Sequence, residues 1–436
     1  MPRPALALLL LAGLGAGGSP ALAPAPATCA AALAALELGL AGSGRAPAEH
    51  HAPAHPPAPT TTHPPALLFH LHVPRTAGRT FHACLLTPGV PVRDLCARAY
   101  GPGGGEAALD DKDATSTSCR LLASHDDAGL TAGRGDLAIL VNVRDPVARI
   151  LSAYEFATEG AALRLNGSAD GEVVEQKQPR RERRKRRGRP STPPTPVEQV
   201  WPWSTLIPWL VEDMAGRGGR PMPLAAFVEA PAVFETLHEG TALQTVGATS
   251  AGSAPAMAGL AADVRKACVG VPLASQPLAG AAVACLEAAL HVGTAEDVDA
   301  SVAAAAGALG WDLHAPPPGG RSGRTLGEVF RECEDRTARR SAGRRAAAAA
   351  ALGGVGPLEG QFGGRAGVPR HVIARIRALN AADMAVHAAA QALLADRLAA
   401  LDAGGPVARL PPRRRAEEQT LRVEEEQEVE TSHSEL

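Results

Sequence analysis

Two short segments, some sixty residues apart, hold the residues best placed to do chemistry. The first is Leu67–Thr80, LLFHLHVPRTAGRT, an apolar run of strand length followed by turn residues Pro74 and Gly78 and a helical stretch over Thr80–Leu86. Its loop gathers what a phosphate-like anion requires. Arg75 and Arg79 bring positive charge, Thr76 and Thr80 bring hydroxyls, and Ala77-Gly78 lets the backbone come close. Thr80 falls where a helix N-terminus would aim its free N–H groups at an anion. The second segment is Leu137–Tyr154, LAILVNVRDPVARILSAY. Here Arg144-Asp145-Pro146 closes a strand, with Asp145 at a natural N-cap and Pro146 at the first helical position. Arg149 and Ser152 follow within two turns. No G-x-x-x-x-G-K-[ST] is present, which argues against a nucleoside triphosphatase. Taken alone, the first loop also suits a βα turn of another nucleotide-binding fold.

A third candidate is His125, at the end of the short apolar run Arg120–Ser124 and flanked by Asp126 and Asp127. An adjacent carboxylate could orient the imidazole and stabilise its cation, as a general base requires. His70 and His72, inside the first strand, are expected to be satisfied strand residues.

The spacing R-D-P-x-x-R-x-x-S together with P-R-T-A-G-R-T resembles the two donor-binding motifs of sulfotransferases that use 3′-phosphoadenosine 5′-phosphosulfate (PAPS). The resemblance implies that Arg75, Thr76, Ala77, Gly78, Arg79 and Thr80 hold the 5′-phosphosulfate, while Arg144 and Ser152 grip the 3′-phosphate. Arg75 stands where that family usually has Lys, and it would stabilise charge on the bridging oxygen as a catalytic residue. The family also places a catalytic His in an H-x-D setting, which fits His125, and it uses no metal. Further along, Tyr154-Glu155-Phe156, Val200-Trp201-Pro202-Trp203, Leu206-Ile207-Pro208-Trp209, Met222-Pro223-Leu224 and Gln244-Thr245-Val246-Gly247 look like the plant-type tyrosylprotein sulfotransferases. Val292-Gly293, Glu296, Trp311 and Leu379–Asp383 resemble the wider glycan-type family, which includes the heparan sulfate 6-O-sulfotransferases. The implied fold is α/β, a P-loop-like sulfotransferase fold with a central parallel sheet flanked by helices. The implied activity is sulfuryl transfer from PAPS to an acceptor hydroxyl in the Golgi lumen or at its membrane. The acceptor would be tyrosine in acidic secretory peptides, or alternatively a glycan hydroxyl of the 6-O or 2-O type. A PAPS- or glycan-binding protein that has lost turnover is a third reading, favoured only by Arg75. Nucleic acid is not an expected partner.

The elements that must position these residues occupy the middle of the chain. Of 436 residues, 45% are hydrophobic but only 3% aromatic, so Ala and Gly fill much of the core. The N-terminus, with Arg3, the apolar run Ala5–Leu14 and Ala21-Leu22-Ala23, has the shape of a cleaved secretory signal over 1–23. Residues 24–66 are rich in Ala and Pro and are expected to form an extended linker. The sulfotransferase domain is expected over 67–405. It would be interrupted at 172–196 by a solvated insertion whose stretch Arg180–Arg189 holds eight basic residues and one acid. The 406–436 tail, basic and then acidic, lacks an apolar period. Three of the four tryptophans (Trp201, Trp203, Trp209) cluster as a lid or helix anchor, and helical patterns run through Asp297–Trp311 and Val372–Leu401. No apolar run reaches transmembrane length, so retention by a membrane-bound partner is one expectation. Seven cysteines permit disulfides and leave at least one thiol unpaired within the chain.

Overall fold

Mostly apolar runs of four to seven residues form β1 (Leu67–Leu71), β2 (Leu121–Ser124) and β3 (Leu137–Val143), and the short segment β4 (His291–Thr294) makes a fourth strand. The computed structural model describes residues 28–42, 67–96, 120–125, 127–131, 137–167, 200–250, 258–270, 275–319 and 323–403. The strands lie in the order β2-β1-β3-β4, and every pairing is parallel. The register runs Leu67↔Leu137 to Leu71↔Val141 between β1 and β3, and Leu140↔His291 to Val143↔Thr294 between β3 and β4.

Such a sheet must be covered on both faces. On one side Phe69, Leu71, Val141, Val143 and Val292 pack with Leu33 and Leu36 of helix Cys29–Gly42 and with Leu278 and Leu286 of helix Gln276–Ala288. Val386 and Ala390 of helix Ala381–Ala403 complete that layer. On the other, Leu68, Leu121 and Leu140 meet Phe81 and Leu85 of the 78–89 helix, Val302 of helix Val298–Leu309 and Phe330 of helix Leu326–Ala351. The result is the expected α/β architecture, a central parallel sheet flanked by helices. A separate apolar cluster joins helix Pro146–Leu165 to helix Trp203–Gly216 through Ile150, Tyr154, Leu206 and Leu210. Trp203 is buried in it, so the tryptophan block anchors a helix.

The chain passes from β1 to β2 on one side and then crosses to β3 on the other. β1 and β3 are therefore neighbours whose outgoing connections diverge, which opens a crevice at their carboxyl ends. Both motif loops sit there.

Several expectations change. Residues 24–66 are not extended throughout, because Cys29–Gly42 is a helix with Ala32, Leu33 and Leu36 buried and Cys29 joined to Cys268 by a disulfide. A small-residue helix hides easily in Ala-rich sequence, and its burial and cross-link decide its fate. The first helix begins at Gly78 rather than Thr80, and it passes through a π-helical stretch at Phe81–Leu86 before ending at Gly89. The 372–401 pattern is two helices, Arg370–Leu379 and Ala381–Ala403, broken at Asn380. A second disulfide, Cys84–Cys333, ties the 78–89 helix to helix Leu326–Ala351, and Cys96 is also disulfide-bonded. Cys285 is the free thiol among the described residues. The 1–23 leader, the 172–196 insertion and the 406–436 tail lie outside the described residues. No described helix is long and apolar enough to cross a membrane.

Candidate active site

The loop after β1 carries two non-glycine residues with left-handed backbone, Arg75 (φ 69°) and Ala77 (φ 61°), a costly conformation that collects at functional sites. Ala77 is the N-cap of the 78–89 helix, so the amides of that helix's first turn open toward the crevice. Gly78 is required by its neighbour as well as by any ligand. A Cβ there would lie 2.2 Å from the His72 ring. Thr76 was expected to offer its hydroxyl to an anion. It is buried, and that hydroxyl donates to the Val73 carbonyl at 2.8 Å, holding the loop instead. Arg79 is exposed and Thr80 half-buried.

The loop after β3 folds as its sequence dictates. Asp145 accepts from the Ala148 amide at 2.8 Å, and Pro146 opens helix Pro146–Leu165. Glu296, just past β4, accepts from the Asp145 amide at 2.9 Å and faces His387 at 3.2 Å. Burial would raise its carboxyl, yet the hydrogen bonds from His387 and the Asp145 amide hold it below the usual range. Arg149 turns away from the crevice into a buried pair with Asp383 at 2.8 Å.

The two loops meet. Arg75 donates to the Ser152 hydroxyl from Nε at 2.9 Å and Nη2 at 2.7 Å, and Arg144 Nη1 donates to the Arg75 carbonyl at 3.2 Å. Residues assigned to different phosphate groups thus share hydrogen bonds across the crevice. Burial, together with Arg344 and Arg144, lowers Arg75 from the usual guanidinium value to about 9. Burial and then Arg365 lower Arg144 as well. Cations gathered and partly desolvated in this way are stabilised by an anion among them.

His125 sits at the end of β2, stacked on His72 with ring centroids 4.2 Å apart. Gln244 fixes this corner by donating to the backbone carbonyls of His125 (2.8 Å) and His72 (3.3 Å). Burial holds the His125 imidazole down to about 3, so at neutral pH the ring is uncharged. Asp127 has further partners in this corner. It accepts from the Gly129 amide (3.1 Å) and from the Thr249 amide (3.0 Å) and hydroxyl (2.7 Å). Asp126 lies outside the described residues. His70 is not satisfied as expected. It is fully buried, and neither ring nitrogen has a hydrogen-bond partner among the described residues; the same holds for His291 on β4.

These rings have a consequence for stability. Burial lowers His291 and His125 to about 3 and His82 to about 4, and it lowers His70 and His72 strongly. Such histidines stay neutral in the fold but protonate near 6.5 once unfolded, so the unfolded chain takes up protons as pH falls. Their stabilisation is complete above about pH 7 and declines below it. For a group like His291 the loss from pH 7 to pH 5 is about 2 kcal/mol. The melting temperature is expected to fall markedly over that interval, and less steeply in His291→Gln. A melting temperature constant from pH 7 to pH 5 would contradict the neutral, buried state.

Phe156, Glu159 and Arg344 also belong to the site, and sequence reading did not place them there. Phe156 and Glu159 follow Ser152 at four- and seven-residue spacing, one face of a helix already legible. Arg344 is one of several arginines in the stretch 331–345, with nothing in the sequence to single it out. Among the described residues, no group of three or more His, Cys, Asp or Glu side chains is arranged to hold a metal ion.

Fold and site together define a parallel α/β protein with an arginine-lined crevice at its switch point. The chain is similar to a protein-tyrosine sulfotransferase of Arabidopsis thaliana, 32% identical over 209 residues. The match spans 42% of this chain and 38% of that relative, well under half of the relative's length. This agrees with the resemblance to plant-type tyrosylprotein sulfotransferases carried by the two loops and the aromatic block. No family model matches the chain. No solved structure matches it either.

Proposed function

We propose that the protein is a sulfotransferase that moves the sulfuryl group of PAPS to tyrosine hydroxyls of acidic peptides in the secretory pathway. The observation that carries this reading is the meeting of the two basic loops through Arg75, Ser152 and Arg144 at one crevice. The site fits a donor with two separate anionic groups, because its arginines are desolvated beside one another. Arg75, Arg79 and the first amides of the 78–89 helix would hold the phosphosulfate end, and Arg144 with Ser152 the 3′-phosphate. When bound, the donor supplies the activated sulfuryl group.

The protein's part is position and charge, as in phosphoryl transfer through a loose, in-line transition state. Arg75 neutralises charge developing on the bridging oxygen. His125, neutral at working pH, accepts the phenolic proton at an imidazole nitrogen. The disulfides support an oxidising compartment, the Golgi lumen or its membrane face, with a membrane-bound partner as one means of retention.

Calorimetry with adenosine 3′,5′-bisphosphate, the donor's product, tests the donor assignment. Arg144→Ala removes a charged hydrogen-bond donor, so the affinity should fall about 10- to 100-fold. Unchanged affinity in Arg144→Ala would remove this loop from donor binding.

A further inference from the structure

Arg75 is the one departure from the family pattern in the donor loop, and the surroundings of its guanidinium are built for it. Helix Pro146–Leu165 turns Ser152, Phe156 and Glu159 toward the crevice along one face. Arg75 lies against that row, with Nε and Nη2 both donating to Ser152 Oγ and Cζ 4.7 Å from the centre of the Phe156 ring. A second guanidinium, Arg344 from helix Leu326–Ala351, lies 4.3 Å from the same ring centre and pairs with Glu159 at 2.5 Å. Trp203 supports the ring from beyond, its centroid 4.6 Å from that of Phe156. The Cys84–Cys333 disulfide joins the donor-loop helix to the helix that brings Arg344.

Resting on the donor-binding reading above, we propose that Phe156 and Arg344 are positioning residues that make the donor site specific for arginine at position 75. A flat guanidinium can stack on Phe156 while it presents two N–H groups in its own plane to Ser152. An ammonium has no plane and cannot satisfy both partners from one place. Arg344 occupies Glu159, so that carboxylate does not collapse onto Arg75 and leave it neutralised. Arg75 is therefore held by a matched set of contacts, and replacing it with lysine alone damages the site.

The test uses the full chain and compares wild type, Arg75→Lys, Phe156→Leu, Phe156→Tyr and the Arg75→Lys/Phe156→Leu double variant. Each is checked by melting temperature, and then by affinity for adenosine 3′,5′-bisphosphate and by kcat and KM for PAPS. Arg75→Lys should lower kcat/KM at least 10-fold, and Phe156→Leu about 3- to 10-fold through loss of the stacked cation. Phe156→Tyr keeps a flat ring and should recover most of that loss. In the Arg75→Lys background, Phe156→Leu should add less than twofold, because the stacking partner is already gone. If Phe156→Leu does not fold, Arg344→Gln takes its place in the same cycle with the same expected coupling. Wild-type protein that binds the bisphosphate, with Arg75→Lys equal or better in affinity and turnover, overturns this inference alone. Failure of wild type to bind the bisphosphate overturns the donor reading and this inference with it.

Discussion

His125→Ala should abolish nearly all sulfuryl transfer, a fall of about 10²- to 10⁴-fold in kcat, while binding adenosine 3′,5′-bisphosphate within about twofold of wild type. The expectation rests on place and protonation. His125 ends β2, beside the crevice where β1 and β3 deliver the two loops, and it is neutral because burial disfavours its cation. Arg75, Ser152 and Arg144 are held by hydrogen bonds to one another, so donor binding has no reason to depend on His125. The same depressed basicity predicts that transfer persists well below pH 6.5, down to where the fold itself fails. Normal turnover by His125→Ala would take it out of the mechanism. Loss of donor binding in parallel with turnover would make it a structural residue of the loop corner.

Asp383→Ala should cost about 3–5 kcal/mol of stability. Asp383 is 1% exposed and accepts from Arg149 Nη2 (2.8 Å) and from the amides of Thr241 (3.2 Å) and Ala242 (2.7 Å). It therefore caps helix Gly240–Val246 from its own place at the start of helix Ala381–Ala403. Glu239 returns the arrangement, accepting from the Ala382 amide (2.9 Å) and the Asp383 amide (2.8 Å). Removing Asp383 strands the buried Arg149 cation and leaves two helical amides unpaired. The damage should reach the site, because helix Gly240–Val246 carries the Gln244 that holds His125. A denaturation midpoint close to wild type would show that the reciprocal caps carry little. Arg149→Met/Asp383→Leu should recover part of the loss, since it removes both charges together.

Much of this arrangement was legible in the residues. The mostly apolar runs at Leu67, Leu121 and Leu137 mark strands buried on both faces, and Asp145-Pro146 marks the start of a helix within one residue. Helix Leu326–Ala351 was not read, although a capping box of Thr325 and Glu328 opens it, because the alanines and arginines that follow carry no apolar period. β4 escaped notice as a strand because His-Val-Gly-Thr is too short to show a period. The partners of the candidate residues were the least legible part. That Ser152 would accept from Arg75, that Arg149 would leave the crevice for Asp383, and that Asp127 would serve Thr249 are tertiary facts. Each joins segments tens to hundreds of residues apart, and local pattern carries no information about them.

Transfer to tyrosine is tested most directly by offering the full chain radiolabelled PAPS with an acidic tyrosine peptide and a desulfated heparan chain side by side. Label on the peptide, absent when its tyrosine is replaced by phenylalanine and lost in His125→Ala, is the expected result. Label on the glycan alone, or on neither while the donor still binds, would contradict it.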